Sequence, residues 1–178
     1  MSILSTLATP GPWHALTFGA LFGTQFYQTF VGGIIAYKAL PRPMFSQLQQ
    51  RVFPVYFTLQ SVLPALVLIT HPTASVPSLL TTSSPYFYNT TVPLLLVIST
   101  SILNLVVIGP ATTAVMRKRK IQETKEGKKY YDEGPKSETM KKLNSKFGRI
   151  HGISSLLGLV GFMGAAAYGV VLGSNLNF

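Results

Sequence analysis

The chain has 178 residues, of which 47% are hydrophobic and only 11% are charged, and its mean hydropathy is +0.35. An ordinary soluble domain carries about 25% charged residues, so this composition argues against a surface that faces water on all sides. The net charge of +10 would by itself suggest a polyanion such as nucleic acid, but the low charge density favours a lipid bilayer. Cysteine is absent, which excludes disulfides, thiolate metal sites and thiol catalysis.

Four long apolar stretches, at about 13–39, 52–70, 92–116 and 151–173, predict membrane-spanning helices. Helices of soluble proteins average about 11 to 12 residues, so stretches of this length are hard to place in a soluble core. We therefore predict a single domain, residues 1–178, that is all-α and forms an integral membrane, antiparallel four-helix bundle. The first stretch is too long for a signal-peptide core, and no cleavable signal is expected.

The charged residues are confined to two connections. Lys38, Arg42 and Arg51 lie between the first and second stretches, and residues 117–150 contain the other twelve basic residues and all five acidic ones. With four crossings, both connections lie on the same side of the membrane. The positive-inside rule makes that side cytosolic and both termini non-cytosolic, and residues 117–150 become a basic cytosolic loop between helices 3 and 4.

Three amide side chains, Gln25, Gln60 and Asn104, lie near the middle of the first three stretches. An unpaired amide in hydrocarbon is costly, so each should find a partner. We favour hydrogen bonds between helices. The alternative is a small polar binding pocket at mid-depth, formed where the three amides converge.

Residues 71–91, on the opposite side, contain Tyr86, Phe87 and Tyr88, which suit an aromatic belt at the membrane surface. Asn89 begins a glycosylation sequon. Because the sequon lies directly against the third stretch, we expect Asn89 to be unmodified.

A basic run follows the third stretch in "AVMRKRK", and its members are Arg117, Lys118, Arg119 and Lys120. A nuclear address is one interpretation of such a run. We favour a phospholipid-headgroup cluster, because a long apolar segment precedes it. Further along, Ser137 suits a helix N-cap, and Met140, Leu143, Phe147 and Ile150 recur at helical spacing among basic residues. This spacing predicts an amphipathic helix at the membrane surface.

Small residues predict where helices touch, since they let two backbones approach closely. Gly19 and Gly23 form GxxxG in the first stretch, and a longer row follows in the fourth. That row is Gly161, Ala165, Gly169 and Gly173.

No motif for catalysis is present. The carboxylates are restricted to residues 117–150, and they form neither a paired arrangement nor HExxH nor a Ser-His-Asp pattern. We therefore expect no enzyme activity, no catalytic or metal-binding residues and no cofactor.

Several longer stretches have a recognisable combination of residues: "GTQFYQTFVGG" (23–33), "LPRPMFSQLQQRVFPVYF" (40–57), "GPATTAVM" (109–116) and "FGRIHGISSLLGL" (147–159). Taken together they resemble the transmembrane protein 205 family of four-span eukaryotic membrane proteins. The resemblance implies a four-helix integral membrane protein of the endomembrane system or plasma membrane, and it implies no reaction.

The matching residues include polar and proline positions that the predicted topology places at the cytosolic ends of the helices, with His151 as the polar centre. They are interpreted either as a functional surface or as a network that satisfies helix ends. This cytosolic-side cluster is Arg42, Gln49, Pro54, Pro110, Thr112, Thr113, His151, Ser154 and Ser155.

The leading prediction is a non-enzymatic multi-pass membrane protein that binds or moves small or lipid-like molecules or supports membrane trafficking. The alternative is a scaffold whose basic loop docks a protein partner or anionic lipid. The expected partners are membrane lipids, including anionic headgroups on the cytosolic side, and not nucleic acid. A homo-oligomer, or a protein partner bound through residues 117–150, is left open.

Overall fold

A computed structural model describes residues 3–175, and within this range the chain is helical, with no strand. The all-α prediction is confirmed. The eight α-helices of these residues are α1 Ile3–Leu7, α2 Pro10–Phe26, α3 Gly33–Ala39, α4 Arg42–Ile69, α5 Val76–Leu80, α6 Val92–Leu103, α7 Gly109–Glu126 and α8 Glu138–Ser174.

Three π-helical segments, Tyr27–Gly32, Phe87–Thr91 and Asn104–Ile108, join or extend these helices. The third has a local cause in sequence. Pro110, at the start of α7, has no N–H and its ring crowds the preceding turn. The Gly109 N–H donates to Asn104 O, five residues back. A Cβ atom on Gly109 would lie 2.8 Å from that oxygen, so a residue larger than glycine would strain the segment.

Three of the predicted spans are confirmed as helices long and apolar enough to cross a membrane: Arg42–Ile69, Phe87–Glu126 and Glu138–Ser174. This result is consistent with an integral membrane protein. The first predicted span is helical from α2 to α3 but is not among the three. Its middle contains Gln25 and Gln28, whose amides lower its hydropathy, and the fourth crossing therefore stays a prediction.

The predicted loop 117–150 is mostly helix, which corrects its boundaries. α7 continues to Glu126 because Arg, Lys, Gln and Glu are good helix formers, and it ends at Gly127, whose φ of 62° is left-handed. α8 begins at Glu138, where the Met140 N–H donates to the Ser137 hydroxyl over 3.0 Å as the N-cap prediction requires. Residues 127–137 are the part without helix.

The long helices pack side by side: α2 contacts α4 and α8, α4 contacts α6, and α8 also contacts α6 and α7. The buried apolar core lies towards the end that carries residues 70–91. Its members are Leu21, Val67, Leu68, Leu79, Leu94, Val97, Ala165 and Tyr168.

Much of the apolar surface is left uncovered by the chain itself. Large hydrophobic side chains point outward from every long helix, including Val55, Val106, Leu156 and Val170. Exposed apolar area on this scale is unusual for a soluble monomer, and acyl chains would cover it.

Candidate functional site

A groove of about 490 Å³ separates the first long helical segment from α4. One wall comes from the end of α2 and the adjoining π-helical segment, and the other comes from two turns of α4. Its surface is almost entirely apolar, although polar residues are among those that line it. Its lining residues are Gly23, Thr24, Tyr27, Gln28, Arg51, Val52, Val55, Tyr56 and Leu59.

Local sequence accounts for the shape of the groove. Gly23 presents no side chain, and a Cβ atom built there would meet nothing within 4 Å. The π-helical turn that begins at Tyr27 widens the helix beside it, and such turns are frequent at functional sites. From Arg51 to Leu59 the α4 wall advances by eight residues, or about 12 Å at 1.5 Å per residue. The groove is therefore long enough for part of an extended chain.

The three predicted mid-depth amides are all buried, with exposed fractions of 2% for Gln25, 1% for Gln60 and 0% for Asn104. Gln60 Nε2 donates to Thr24 Oγ1 over 2.8 Å. Asn104 Oδ1 accepts from Ser154 Oγ over 2.8 Å, and its Nδ2 donates to Ser154 O over 3.3 Å. Each of these two amides thus joins one pair of helices.

No hydrogen bond between the three amides is recorded in the described part of the chain. The Oε1 atoms of Gln25 and Gln60 are buried and accept no hydrogen bond from residues 3–175. The arrangement at Gln60 and Asn104 favours interhelical hydrogen bonds over one shared polar pocket. The Oε1 atoms of Gln25 and Gln60 could still accept from a bound donor, and so could the buried, unpaired Oε1 of Gln49 on α4.

The cytosolic-side cluster is not one network around His151, and this interpretation needs correction. The His151 side chain is exposed and its ring stacks on Phe147 at 5.6 Å between centroids, because that face of α8 points away from the other helices. Ser155 Oγ donates to the backbone oxygen of its own preceding turn, at His151. Thr112 does the same at Ile108.

The remaining members of that cluster are dispersed. Arg42 is exposed and stacks on the Tyr37 ring at 4.0 Å. Gln49 and Thr113 are half-buried, and Pro54 and Pro110 are exposed. Among the hydrogen bonds recorded for these members within residues 3–175, only those between Ser154 and Asn104 join helical segments that are far apart in the chain.

Arg119 also departs from its predicted role. Arg117, Lys118 and Lys120 are exposed, as headgroup ligands should be, but Arg119 is only 7% exposed. Its guanidinium lies 3.7 Å from the centre of the Tyr130 ring and 4.6 Å from that of Phe147. Arg119 therefore stacks between aromatic rings and holds residues 127–137 against α7 and α8.

Glu123 completes this contact, which we call the Arg119 clamp (Arg119, Glu123, Tyr130 and Phe147). Glu123 is 5% exposed. Its Oε1 accepts from the Tyr130 N–H over 3.1 Å, and its Oε2 accepts from Lys120 Nζ over 3.2 Å. Arg119 and Glu123 are four residues apart and so share a helix face, a spacing that could have predicted their pairing inward.

The small-residue rows are only partly helix contacts. A Cβ atom on Gly161 would lie 2.8 Å from Thr100 Oγ1, and one on Gly169 would lie 2.9 Å from Phe18 Cζ. Ala165 is in the core. Gly164, which was not predicted, is the tightest contact, at 2.7 Å from Pro93 O.

Gly19, Gly23 and Gly173 are exposed, and a Cβ atom on any of them would meet nothing within 4 Å. Packing within the described chain therefore does not use these three glycines, and their contact with a second copy of the chain stays a prediction. α2 is rotated so that Leu21 and Gln25, and not Gly19 and Gly23, face the interior.

Sequence reasoning missed a histidine cluster at the end opposite the Arg119 clamp. His14 is buried, and its Nε2 lies 2.5 Å from the Tyr168 hydroxyl, 154 residues away. The His71 ring contacts that of His14 at 5.5 Å between centroids. His71 Nδ1 accepts from the N–H groups of Thr73 and Ala74, and burial lowers the pKa of His71 below its ordinary value.

The chain matches a protein family and is similar to a curated protein. Residues 16–121 match the family described as "Domain of unknown function (DUF4149)". The chain is 33% identical over 175 residues to the "Xanthocillin biosynthesis cluster protein D" of Aspergillus fumigatus, a match that covers 98% of this chain and 96% of that protein. No solved structure matches the chain.

These matches overturn the resemblance to the transmembrane protein 205 family. Three of the four stretches that suggested it fall within the residues that match the other family, and the similar protein belongs to a fungal biosynthesis cluster. Glycine, proline and aromatic residues at helix ends serve packing and membrane interfaces in many membrane proteins, so they are weak markers of one family. Because the family model matches more than half of the chain, the chain belongs to the DUF4149 family.

Proposed function

We propose that this protein is an integral membrane protein with four crossings, which binds a small or lipid-like molecule in the groove between α2 and α4. The helices would form an antiparallel bundle with both termini and residues 71–91 non-cytosolic. The contacts of α2 with α4 and α8 support the fourth crossing. The distribution of all charged residues over two connections supports the orientation.

The observation that carries the proposed function is the groove itself. It opens on the outer surface of the helices, and polar side chains such as Tyr27, Gln28 and Arg51 share it with apolar ones such as Val55 and Leu59. Ligand sites commonly combine an apolar lining with a few placed polar groups. A molecule with a long apolar body and one charged end, placed at Arg51, matches this lining.

The proposed role is binding without a reaction. The described residues that line the groove include polar side chains and one cation, Arg51, but no carboxylate or histidine that could act as an acid or base. The fungal relative is named for a biosynthesis cluster. For this reason we retain a small product molecule, together with a lipid, as a class of ligand. We place the protein in the endomembrane system or plasma membrane.

The test compares wild type with Gly23→Leu and Gly19→Leu after mild purification, with mass spectrometry of the molecules that remain bound. Both glycines are exposed and have room for a side chain, but only Gly23 lines the groove. We expect wild type and Gly19→Leu to retain the same molecule and Gly23→Leu to lose most of it. Equal retention by all three proteins would refute the proposal.

A scaffold is the second candidate, and the Arg119 clamp favours it because it orders residues 127–137 among exposed basic side chains such as Lys129. A photo-crosslinker placed at Lys129 in intact membranes should then capture one defined protein. Adducts with lipid alone would refute a protein-docking role.

A further inference from the structure

Within residues 3–175, Arg51 forms no recorded ion pair with a carboxylate. The ion pairs recorded within residues 3–175 join Lys120 to Glu123 and Lys141 to Glu138. All acidic residues lie between Glu123 and Glu138, and none lies in α2 or α4, the helices that form the groove. Arg51 nevertheless lines the groove, beside Tyr27, Gln28 and Tyr56.

A cation on a membrane helix is costly unless an anion or water solvates it. In the proposed topology, Arg51 lies near the cytosolic surface, where anionic lipid phosphates are concentrated. The Arg51 end of the groove is thus complementary in charge to a phosphate ester.

The other end of the groove suits an acyl chain. Gly23, Val55 and Leu59 present no charge there. The α4 wall runs about 12 Å from Arg51 to Leu59, slightly less than half of the roughly 30 Å hydrocarbon core. The groove would therefore extend from headgroup level to near the bilayer midplane, as one leaflet's acyl chain does.

We infer that the groove binds an anionic phospholipid of the cytosolic leaflet, with its phosphate at Arg51 and one acyl chain along Gly23, Val55 and Leu59. This inference rests on the proposed function, because it names the ligand class of the same groove. A phospholipid fits better than a free anion, since the apolar half of the groove would gain nothing from an inorganic ion.

Arg42 supplies the matched control for Arg51. It begins the same helix, its guanidinium stacks on the Tyr37 ring, and it does not line the groove. A general attraction of anionic lipid to basic residues would involve both arginines, whereas recognition in the groove requires Arg51.

The experiment uses the full-length protein reconstituted in phosphatidylcholine vesicles with a trace of photoactivatable phosphatidylglycerol or photoactivatable phosphatidylcholine, each with a diazirine on the acyl chain. Mass spectrometry then measures labelling of Val55 and Leu59. We expect about fivefold more labelling by the phosphatidylglycerol probe, the factor that roughly 1 kcal/mol per basic residue gives. Arg51→Gln should bring the ratio close to one, and Arg42→Gln should leave it unchanged.

Two results would overturn the inference alone: equal labelling of the wild-type groove by both probes, or an equal loss of preference in Arg42→Gln and Arg51→Gln. The proposed function would survive either, provided that Gly23→Leu still reduces labelling by both probes. If labelling of Val55 and Leu59 does not exceed that of the exposed α8 residues Leu156 and Val160, both the inference and the proposed function fail.

Discussion

Gln60 Nε2 donates a 2.8 Å hydrogen bond to Thr24 Oγ1, and this bond joins α4 to α2, whose end forms the other wall of the groove. Thr24 in turn donates to Ala20 O over 2.7 Å, so its hydroxyl accepts from Gln60 while it donates to its own helix. The groove wall is thereby held at a set distance from α4. Asn104 and Ser154 connect the π-helical segment Asn104–Ile108 to α8 in the same way, with two hydrogen bonds.

Each of these two amide pairs should contribute to stability through one hydrogen bond between side chains. Double-mutant cycles with Gln60→Leu and Thr24→Val, and with Asn104→Leu and Ser154→Ala, measure their coupling. The second hydrogen bond of Asn104 goes to the backbone oxygen of Ser154, which Ser154→Ala retains. We therefore expect a similar coupling in both cycles, about 0.6 kcal/mol, the average measured for hydrogen bonds between helices in a membrane protein. The readout is the free energy of unfolding in mixed micelles. Zero coupling at Asn104 would contradict the pairing.

Arg119→Gln should release residues 127–137. The substitution removes a guanidinium stacked between Tyr130 and Phe147, an interaction worth about 0.5 to 2 kcal/mol. We expect faster chymotrypsin cleavage after Tyr130 and Tyr131, by several-fold, in detergent-solubilised protein. Lys118→Gln is the control, since Lys118 is exposed on the same helix. Identical cleavage rates in both variants would show that Arg119 does not hold the segment.

Gly164→Ala should destabilise the protein where Gly158→Ala does not. The new Cβ atom at 164 would lie 2.7 Å from Pro93 O, a backbone atom, whereas one at 158 meets nothing within 4 Å. Overpacking of this kind costs about 1 to 3 kcal/mol. Alanine at 158 should be neutral or stabilising by up to about 1 kcal/mol, because alanine is the better helix former. Thermal unfolding of both variants gives the comparison, and similar melting temperatures would refute close α6–α8 packing.

Stability should fall in mild acid because of His71. Its pKa is lowered in the folded protein by burial, so the unfolded chain binds the proton first. The free energy of unfolding then rises with pH up to the ordinary histidine value of 6.5 and is lost as pH falls below it. Protonation also ends the acceptance by Nδ1 of the Thr73 and Ala74 N–H groups.

His71→Asn tests this dependence, since an Asn Oδ1 can accept the same hydrogen bonds without titrating. We expect the variant to lose less stability than wild type between neutral and mildly acidic pH. Thermal unfolding over a pH series measures the difference, and parallel curves would exclude a role for His71.

Element type could be predicted from sequence because it depends on local composition. The long apolar stretches behind α4, α6 and α8 exceed what a soluble helix needs, and the N-cap at Ser137 depends on one hydroxyl. The rotation of each helix could not be predicted. Whether Gly19 or Leu21 faces the interior depends on neighbours far away in sequence. The contact between His14 and Tyr168 is of this kind.

The groove also has a partial signal in sequence. Gln25 and Gln28 indicate a polar region in the first apolar stretch. The opposing wall of the groove lies on α4, and it can be identified only when the packing of α2 on α4 is known. From sequence, Arg51 is only one of the three charged residues between the first and second apolar stretches. Its position on the groove follows from the helix beginning at Arg42, ten residues earlier than the apolar stretch suggested.

The central claim is that four crossings place every charged residue on the cytosolic side, and the cysteine-free chain allows a direct measurement. Single cysteines replace Leu4, Thr82 and Glu133 in turn, and intact cells are treated with a membrane-impermeant maleimide before and after selective permeabilisation. We expect Leu4→Cys and Thr82→Cys, placed at the cell surface or in the lumen, to react from the same side, and Glu133→Cys to react only from the cytosol. Reaction of Leu4→Cys and Thr82→Cys from opposite sides would leave three crossings and contradict the account.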